Sequence, residues 1–396
     1  MRGIRIGSAF GIPIKLDLTF LLVLPLFAWL IGADVGNLVS VLNGTFNVSM
    51  PVETLTAGST PWLLGAAAAT GLFVCVLIHE FGHSLVAMHF GYEIDSITLW
   101  LFGGVARFTE MPEDWKQEFT IAVAGPIVSI ALGILSYLGF LALGGGSLPT
   151  VQFVLAYLAM TNIVLAVFNM LPGFPMDGGR VLRALLARRR PHARATQIAA
   201  EVGKAFAVLL AIVGLFANLF LVALAFFIYI GASSEAQQTV LKAAFQDVTV
   251  SDVMTPVTDL KTVTADTSLT TLTDRMFRER HTGYPVLRQG SLVGMVTLDD
   301  TREVRDVERD AYRVEDVMET DLVTISPGAD AMDAISLMQQ ENVGRLPVVD
   351  ETGDLVGLIS RSDLVTAFNI IQTRGAKAGS DAGFDRLASD PDIARR

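Results

Sequence analysis

From Met1 to about Ser234 the apolar residues gather into long runs, parted by short polar or turn-rich stretches. From Glu235 onward they fall instead into the short alternating and helical spacings of water-soluble elements. Runs of the first kind read as membrane helices, since roughly 20 apolar residues at ~1.5 Å rise cross the hydrocarbon layer. The first is Leu16 to Ile31, followed by a polar, turn-rich loop from Gly32 to Pro61. The second is Trp62 to Phe90. The third is Phe119 to Leu143, interrupted at Gly125-Pro126, and the fourth is Val151 to Met170. The apolar stretch from Ala205 to Ile230, within Lys204 to Ser234, is too long for one span at ordinary tilt and carries Gly214 and Asn218. It is read as two short spans, with one long kinked span as the alternative. Six membrane helices are therefore expected. Between the second and third, Tyr92 to Phe108 alternates and branches as a strand pair, with Gly103-Gly104 at the bend. A hairpin at that depth has to be shielded or to line a cavity, because unpaired strand edges are not tolerated in lipid.

Beyond Asp247 the chain repeats itself. Asp252 and Asp316 open two similar stretches 64 residues apart, the inner Pro285 and Pro347 are 62 apart, and Gly294 and Gly357 are 63 apart. Each copy reads strand, helix, strand, turn, strand, helix, an α/β pattern. The expected organisation is a membrane domain over residues 1–234, repeats over 247–308 and 311–373, and a disordered Gly-, Ala- and Asp-rich tail over 374–396.

Composition agrees with this division. The 396 residues are 52% hydrophobic, and the mean hydropathy of +0.51 is too high for an ordinary soluble chain. The net charge of −11 belongs wholly to the part from Glu235 onward, where 28 acidic residues face 17 basic ones. That excludes nucleic acid as a partner of this part, since phosphate contact needs a basic surface. The single cysteine, Cys75, allows neither an internal disulfide nor a thiolate zinc site. The N-terminus lacks the pattern of a cleaved signal peptide. Arg188-Arg189-Arg190 follows the fourth span, so the loop there is read as cytoplasmic. An even span count then puts both termini and the repeats in the cytoplasm of a multi-pass plasma-membrane protein. The acceptor-type triplets at Asn43 and Asn47 fall outside.

The chemistry starts in the second span. His79 and His83 are four residues apart, so on a helix both face one side and can hold one metal ion. Glu80 projects about 100° away and can reach a water at that metal. Zinc with histidine ligands and an open position acidifies water, and a nearby carboxylate can take its proton and later give it to a leaving amine. Ionisable side chains inside a span are rare and usually functional. A third ligand is needed. His89 lies about 240° round and about 9 Å along from His83 and faces elsewhere. Asp177 lies in "NMLPGFPMDGGRVL", Asn169 to Leu182, where Pro172 and Pro175 stop a helix and Gly178-Gly179 lets backbone come close. It suits a rigidly held ligand, and equally the cap of a helix starting near Gly179.

Taken together these motifs resemble the site-2 protease family, the intramembrane zinc metalloproteases of the M50 type. The matching residues are His79, Glu80 and His83, the run from Asn169 to Gly178, "LFGG" at Leu101 to Gly104, and "AGP" at Ala124 to Pro126. The resemblance implies His79, His83 and Asp177 as ligands of one Zn2+ per chain, and Glu80 as catalytic base and acid. It implies that Asn169 holds substrate or stabilises the oxyanion. Leu101, Phe102, Gly103 and Gly104 would bind an unwound substrate by strand addition. The implied substrates are transmembrane proteins in the lipid bilayer. A helix hides its carbonyls in hydrogen bonds, so such a substrate must unwind before attack.

The repeats resemble paired cystathionine-beta-synthase (CBS) modules. That resemblance implies an adenosyl ligand such as AMP, ADP or ATP, held through Thr297, Asp300, Ser360 and Asp363, whose acids would accept from ribose hydroxyls. It equally allows a packing or homodimerisation module. The competing reading is a transporter or channel with nucleotide-sensing modules. It would call for inverted repeats and broken helices at the midplane, and the spans show no such symmetry.

Overall fold

The computed structural model describes residues 3–100, 103–108, 112, 114–143, 148–305, 308–371 and 373. The chain divides into two compact units, Met1–Thr239 and Val240–Arg396.

The first unit begins with a hairpin, β1 (Ile4–Ala9) and β2 (Ile12–Leu16), turned by Phe10 and Gly11 with φ of 53° and 81°. Helix α1 (Phe20–Ala33) follows, so the expected span starts four residues later than Leu16, which is the last residue of β2. The expected loop from Gly32 to Pro61 is largely helical. It forms α2 (Val35–Phe46), bent 71° from α1, and α3 (Val52–Thr56). The reason is a short apolar stripe. Val35, Val39 and Leu42 recur at helical spacing and are buried with Met50 and Leu55 against the next helix. Asn43 sits inside this cap, its side chain bonded both ways to the backbone of Met50.

Helix α4 (Thr60–His89) leads to β3 (Ile94–Trp100) and β4 (Gly103–Phe108). The expected hairpin is thus part of a four-stranded sheet in the order β1-β2-β3-β4, with β2 parallel to β3. Gly103 pairs with Trp100, so the glycine pair opens β4 and does not make the bend. Leu101 and Phe102 lie outside the described residues. Helix α5 (Trp115–Ala142) runs unbroken through Gly125-Pro126, contrary to the expected interruption. A proline removes one hydrogen bond and strains one turn, and the packed neighbours hold the rest of the helix. Then come α6 (Pro149–Asn169), α7 (Asp177–Ala187), α8 (His192–Ala217) and α9 (Leu219–Ala244). Asn218 is extended, and its side chain accepts from Phe220 N, so the long apolar stretch is two helices. Among the described residues five helices are long and apolar enough to cross a membrane, or six if the bent pair α1–α2 is one span.

The second unit holds α10 (Val250–Val253), β5 (Thr255–Pro256), β6 (Val263–Thr264), α11 (Leu269–Glu279), β7 (Gly283–Arg288), β8 (Ser291–Thr297), α12 (Leu298–Arg302), α13 (Ala331–Gln340), β9 (Arg345–Val349) and β10 (Leu355–Ser360). Its sheets are β6-β7-β8 and β5-β10-β9. The repeats exchange their leading segments. β5, from the first, pairs with β10 of the second, and Glu319, from the second, bridges Met295 in β8 of the first. Arg345 also crosses, its Nη2 donating to Thr282 Oγ1 at 2.8 Å.

Candidate metal centre

Both histidines lie in the C-terminal half of α4, on the face it buries, and each is 3% exposed. Helix α5 packs against that face and fixes each ring through its Nδ1. His83 Nδ1 is 2.7 Å from the carbonyl oxygen of Ile121, which can only accept. Nδ1 therefore carries a proton, and the neutral ring has its lone pair on Nε2. His79 Nδ1 is 2.8 Å from Ser129 Oγ. Between these two contacts α5 places Gly125. A Cβ there would stand 2.2 Å from His83 Nε2 and 2.7 Å from His79 Nε2, so only glycine lets the helix come this close.

Asp177 arrives from the other side. Helix α6 ends at Asn169, the proline-rich turn reverses the chain, and Asp177 is the first residue of α7. That N-terminus has no side-chain cap, so Asp177 does not serve in the capping role open to it from sequence. Its Oδ2 lies 3.2 Å from both imidazole Nε2 atoms, which are 3.2 Å from each other. Ligand atoms on a tetrahedral zinc at ~2.0–2.2 Å are roughly 3.3–3.6 Å apart. The triangle of two buried imidazole nitrogens and one carboxylate oxygen therefore fits three corners of such a site. Lone pairs at these separations repel unless a cation lies among them, and the donor types are those zinc takes.

Beside this triangle opens a cavity of about 300 Å³. Glu80, Asn169 and Asp177 line it with the two histidines, and Gly103 to Ala106 of β4 form one wall. Glu80 is held from behind by that strand. A Cβ on Gly104 would come 2.4 Å from Glu80 Cγ, so the glycine sets where the carboxylate can stand. Among the described residues β4 is the last strand of the sheet, with β3 on one side and no strand paired on the other. The sequence thus pointed to five residues that the fold brings around one cavity: His79, Glu80, His83, Asn169 and Asp177. It missed Ser129 and the Ile121 carbonyl. A serine in an apolar helix was the available signal, but its partner lies 50 residues away.

In the second unit the four candidate nucleotide residues form two like caps. Asp300 Oδ2 accepts from Thr297 N (2.6 Å) and Oγ1 (2.9 Å). Asp363 Oδ2 accepts from Ser360 N (2.8 Å) and Oγ (2.7 Å). Each acid thus caps the helix that follows its module's last strand.

Comparison with known proteins gives matching results for both units. The model of peptidase family M50 matches residues 67–152 and 147–210, and the CBS domain model matches 250–305 and 314–370. Zinc metalloprotease MJ0392 of Methanocaldococcus jannaschii is 33% identical over 94% of this chain and 97% of its own. Stage IV sporulation protein FB of Bacillus subtilis is 30% identical over 35% of this chain and 47% of its own. Among solved structures, a site-2 protease from Methanocaldococcus jannaschii is 32% identical, with a TM-score of 0.40, over 59% of this chain and 95% of that one. A CBSX2 structure in complex with AMP is 30% identical, with a TM-score of 0.29, over 31% of this chain and 98% of that one.

Proposed function

The chain belongs to peptidase family M50 as an integral-membrane zinc metalloprotease with a CBS pair, and we propose that it hydrolyses peptide bonds in or beside transmembrane segments of other proteins. His79, His83 and Asp177 would hold the zinc. The observation that carries this is the 3.2 Å triangle of their three donor atoms beside a cavity that β4 helps to line.

Zinc, when bound, supplies Lewis acidity, bringing the pKa of water at the site to about 7. Glu80, held by Gly104 at the cavity wall, takes the proton as the water attacks and passes it to the departing amine. Asn169, the last residue of α6 and part of the cavity lining, would donate to the carbonyl oxygen as charge develops on it. An unwound substrate segment lies along β4, where backbone pairing keeps it extended and Gly103-Gly104 leave room. Leu101 and Phe102 precede that edge and would extend the contact.

The protease domain is assigned to residues 1–234 and the two modules to 247–308 and 311–373. With the Arg188 to Arg190 loop cytoplasmic, both termini and the modules face the cytoplasm of the plasma membrane. An adenosine nucleotide at Asp300 or Asp363 would regulate substrate entry, and the modules would pair in a homodimer.

The test is zinc analysis and cleavage of single-span test substrates by wild type, Glu80→Gln and Asp177→Ala, with and without AMP or ATP. Glu80→Gln keeps its zinc and loses cleavage, while Asp177→Ala loses zinc. Cleavage by Glu80→Gln at the wild-type rate would sink the mechanism. Nucleotides that alter neither cleavage nor melting temperature would remove the regulatory part.

A further inference from the structure

The cavity does not account for a second group of buried charges. Arg183, on α7, is 3% exposed. Its Nε donates to Glu118 Oε1 of α5 at 2.5 Å, and its Nη1 donates to Glu235 Oε1 of α9 at 2.7 Å. Its guanidinium stacks 4.9 Å from the ring centroid of Phe174, in the turn between α6 and α7. Glu118 is also 3% exposed, and its other oxygen faces His192 Nε2 of α8 at 3.6 Å. One side chain thus joins α5, α7, α9 and the proline-rich turn. At the far end of α7, Arg188 lies over Trp115, in the first turn of α5.

The position of Glu118 gives this cluster its meaning. Ile121, Gly125 and Ser129 follow it by three, seven and eleven residues, which is one stripe of a helix. Along that stripe α5 grips Arg183, bonds His83, makes room for both rings and bonds His79. Asp177 starts the helix that Arg183 anchors. The carboxylate and the two imidazoles come from separate elements, and the Arg183–Glu118 pair joins the helix that starts with the carboxylate to the helix that bonds both rings. Charges this deep are retained at a cost unless they serve a geometry.

We propose that Arg183 is a positioning residue of the metal site. Through its buried pair with Glu118 it docks α7 on α5 and so sets Asp177 Oδ2 at equal distance from His79 and His83. The pair with Glu235, whose side chain is 30% exposed, is the secondary arm. This inference rests on the ligand set of the proposed function.

The test uses the purified full-length protein in detergent, loaded with zinc or with cobalt as a spectroscopic probe. Zinc affinity is read by chelator competition, coordination by the visible spectrum of the cobalt form, and integrity by circular dichroism and melting. Arg183→Gln and Glu118→Gln bind zinc at least tenfold more weakly and change the cobalt spectrum while the helical content is kept. Glu235→Gln has a smaller effect. Arg183→Lys, which keeps the charge, recovers part of the zinc affinity and the wild-type spectrum. If Arg183→Gln does not fold, the double variant Glu118→Gln/Arg183→Gln, which leaves no unpaired buried charge between the two, carries the same expectation. Wild-type zinc affinity and cobalt spectrum in Arg183→Gln, or in the double variant, overturn the proposal. A wild-type protein that bound no zinc at His79, His83 and Asp177 would instead overturn the ligand set itself.

Discussion

At the scale of single residues the site depends as much on missing atoms as on present ones. Gly125→Ala would place a methyl carbon 2.2 Å from His83 Nε2, an approach that forces one imidazole out of the triangle. Loss of bound zinc is therefore expected, measured as metal content after gel filtration. Gly104→Ala meets Glu80 and leaves the histidines alone. It should keep zinc and lower kcat about 100-fold, since a displacement of about 1 Å in a reacting group has that effect. Zinc loss in Gly104→Ala, or full zinc in Gly125→Ala, would show that the two glycines are not divided in this way. Much of the site was legible at this scale. His79, Glu80 and His83 announce themselves as ionisable groups in an apolar run, and Asp177 by the prolines and glycines around it. Gly125 was visible only as part of a motif. Its reason, the gap for two rings on another helix, exists only after α4 and α5 have packed.

At the scale of elements the turn between α6 and α7 is the delicate piece. It lies directly on α8, where a Cβ on Gly173 would come 2.4 Å from Gly203 Cα, and one on Gly203 would come 2.8 Å from Phe174 O. Gly203→Val should overpack this contact, destabilise the fold by about 1–3 kcal/mol, and weaken zinc binding by lifting the turn that leads into Asp177. Melting and chelator titration check it, and undiminished zinc affinity would mean the turn is seated by other contacts. Spans were the easy elements, because long apolar runs declare themselves. The N-terminal hairpin was harder, although Ile4, Ile6, Ile12, Ile14 and Leu16 alternate around a Phe-Gly turn with positive φ. Its pairing with β3 joins residues over 80 positions apart, such as Ile14 with Ile97. No local pattern encodes such a partner. Helices α2 and α3 were hidden by their polar residues, and it is burial against α4 and α6 that makes them helical.

At the scale of the whole molecule the two units should respond differently to acid. In the second unit several carboxylates sit below their usual range because hydroxyls and backbone amides donate to them. Thr249 does so for Asp252, Thr352 for Asp350, and the Tyr284 hydroxyl for Glu279. A carboxylate with a lowered folded pKa contributes stability above its unfolded value, and that stability is lost as pH falls through the folded value. The second unit should thus hold a plateau above about pH 5 and weaken below about pH 4. Hydrogen exchange of residues 240–371 in the intact chain reads this directly, and unchanged protection at pH 3.5 would contradict it. The repeat itself was plain from Asp252 and Asp316, but the exchange of leading segments was not, since identical spacing fits paired and separate modules alike. The proline-rich turn has a last consequence, in the order of synthesis. Asp177 lies 94 residues after His83 and 98 after His79. Under the proposed ligand set a ribosome delivers two imidazoles to the bilayer long before their carboxylate exists. Metal acquisition is then a late event in the life of the nascent chain, and the protease stays inert until most of its membrane domain has been inserted.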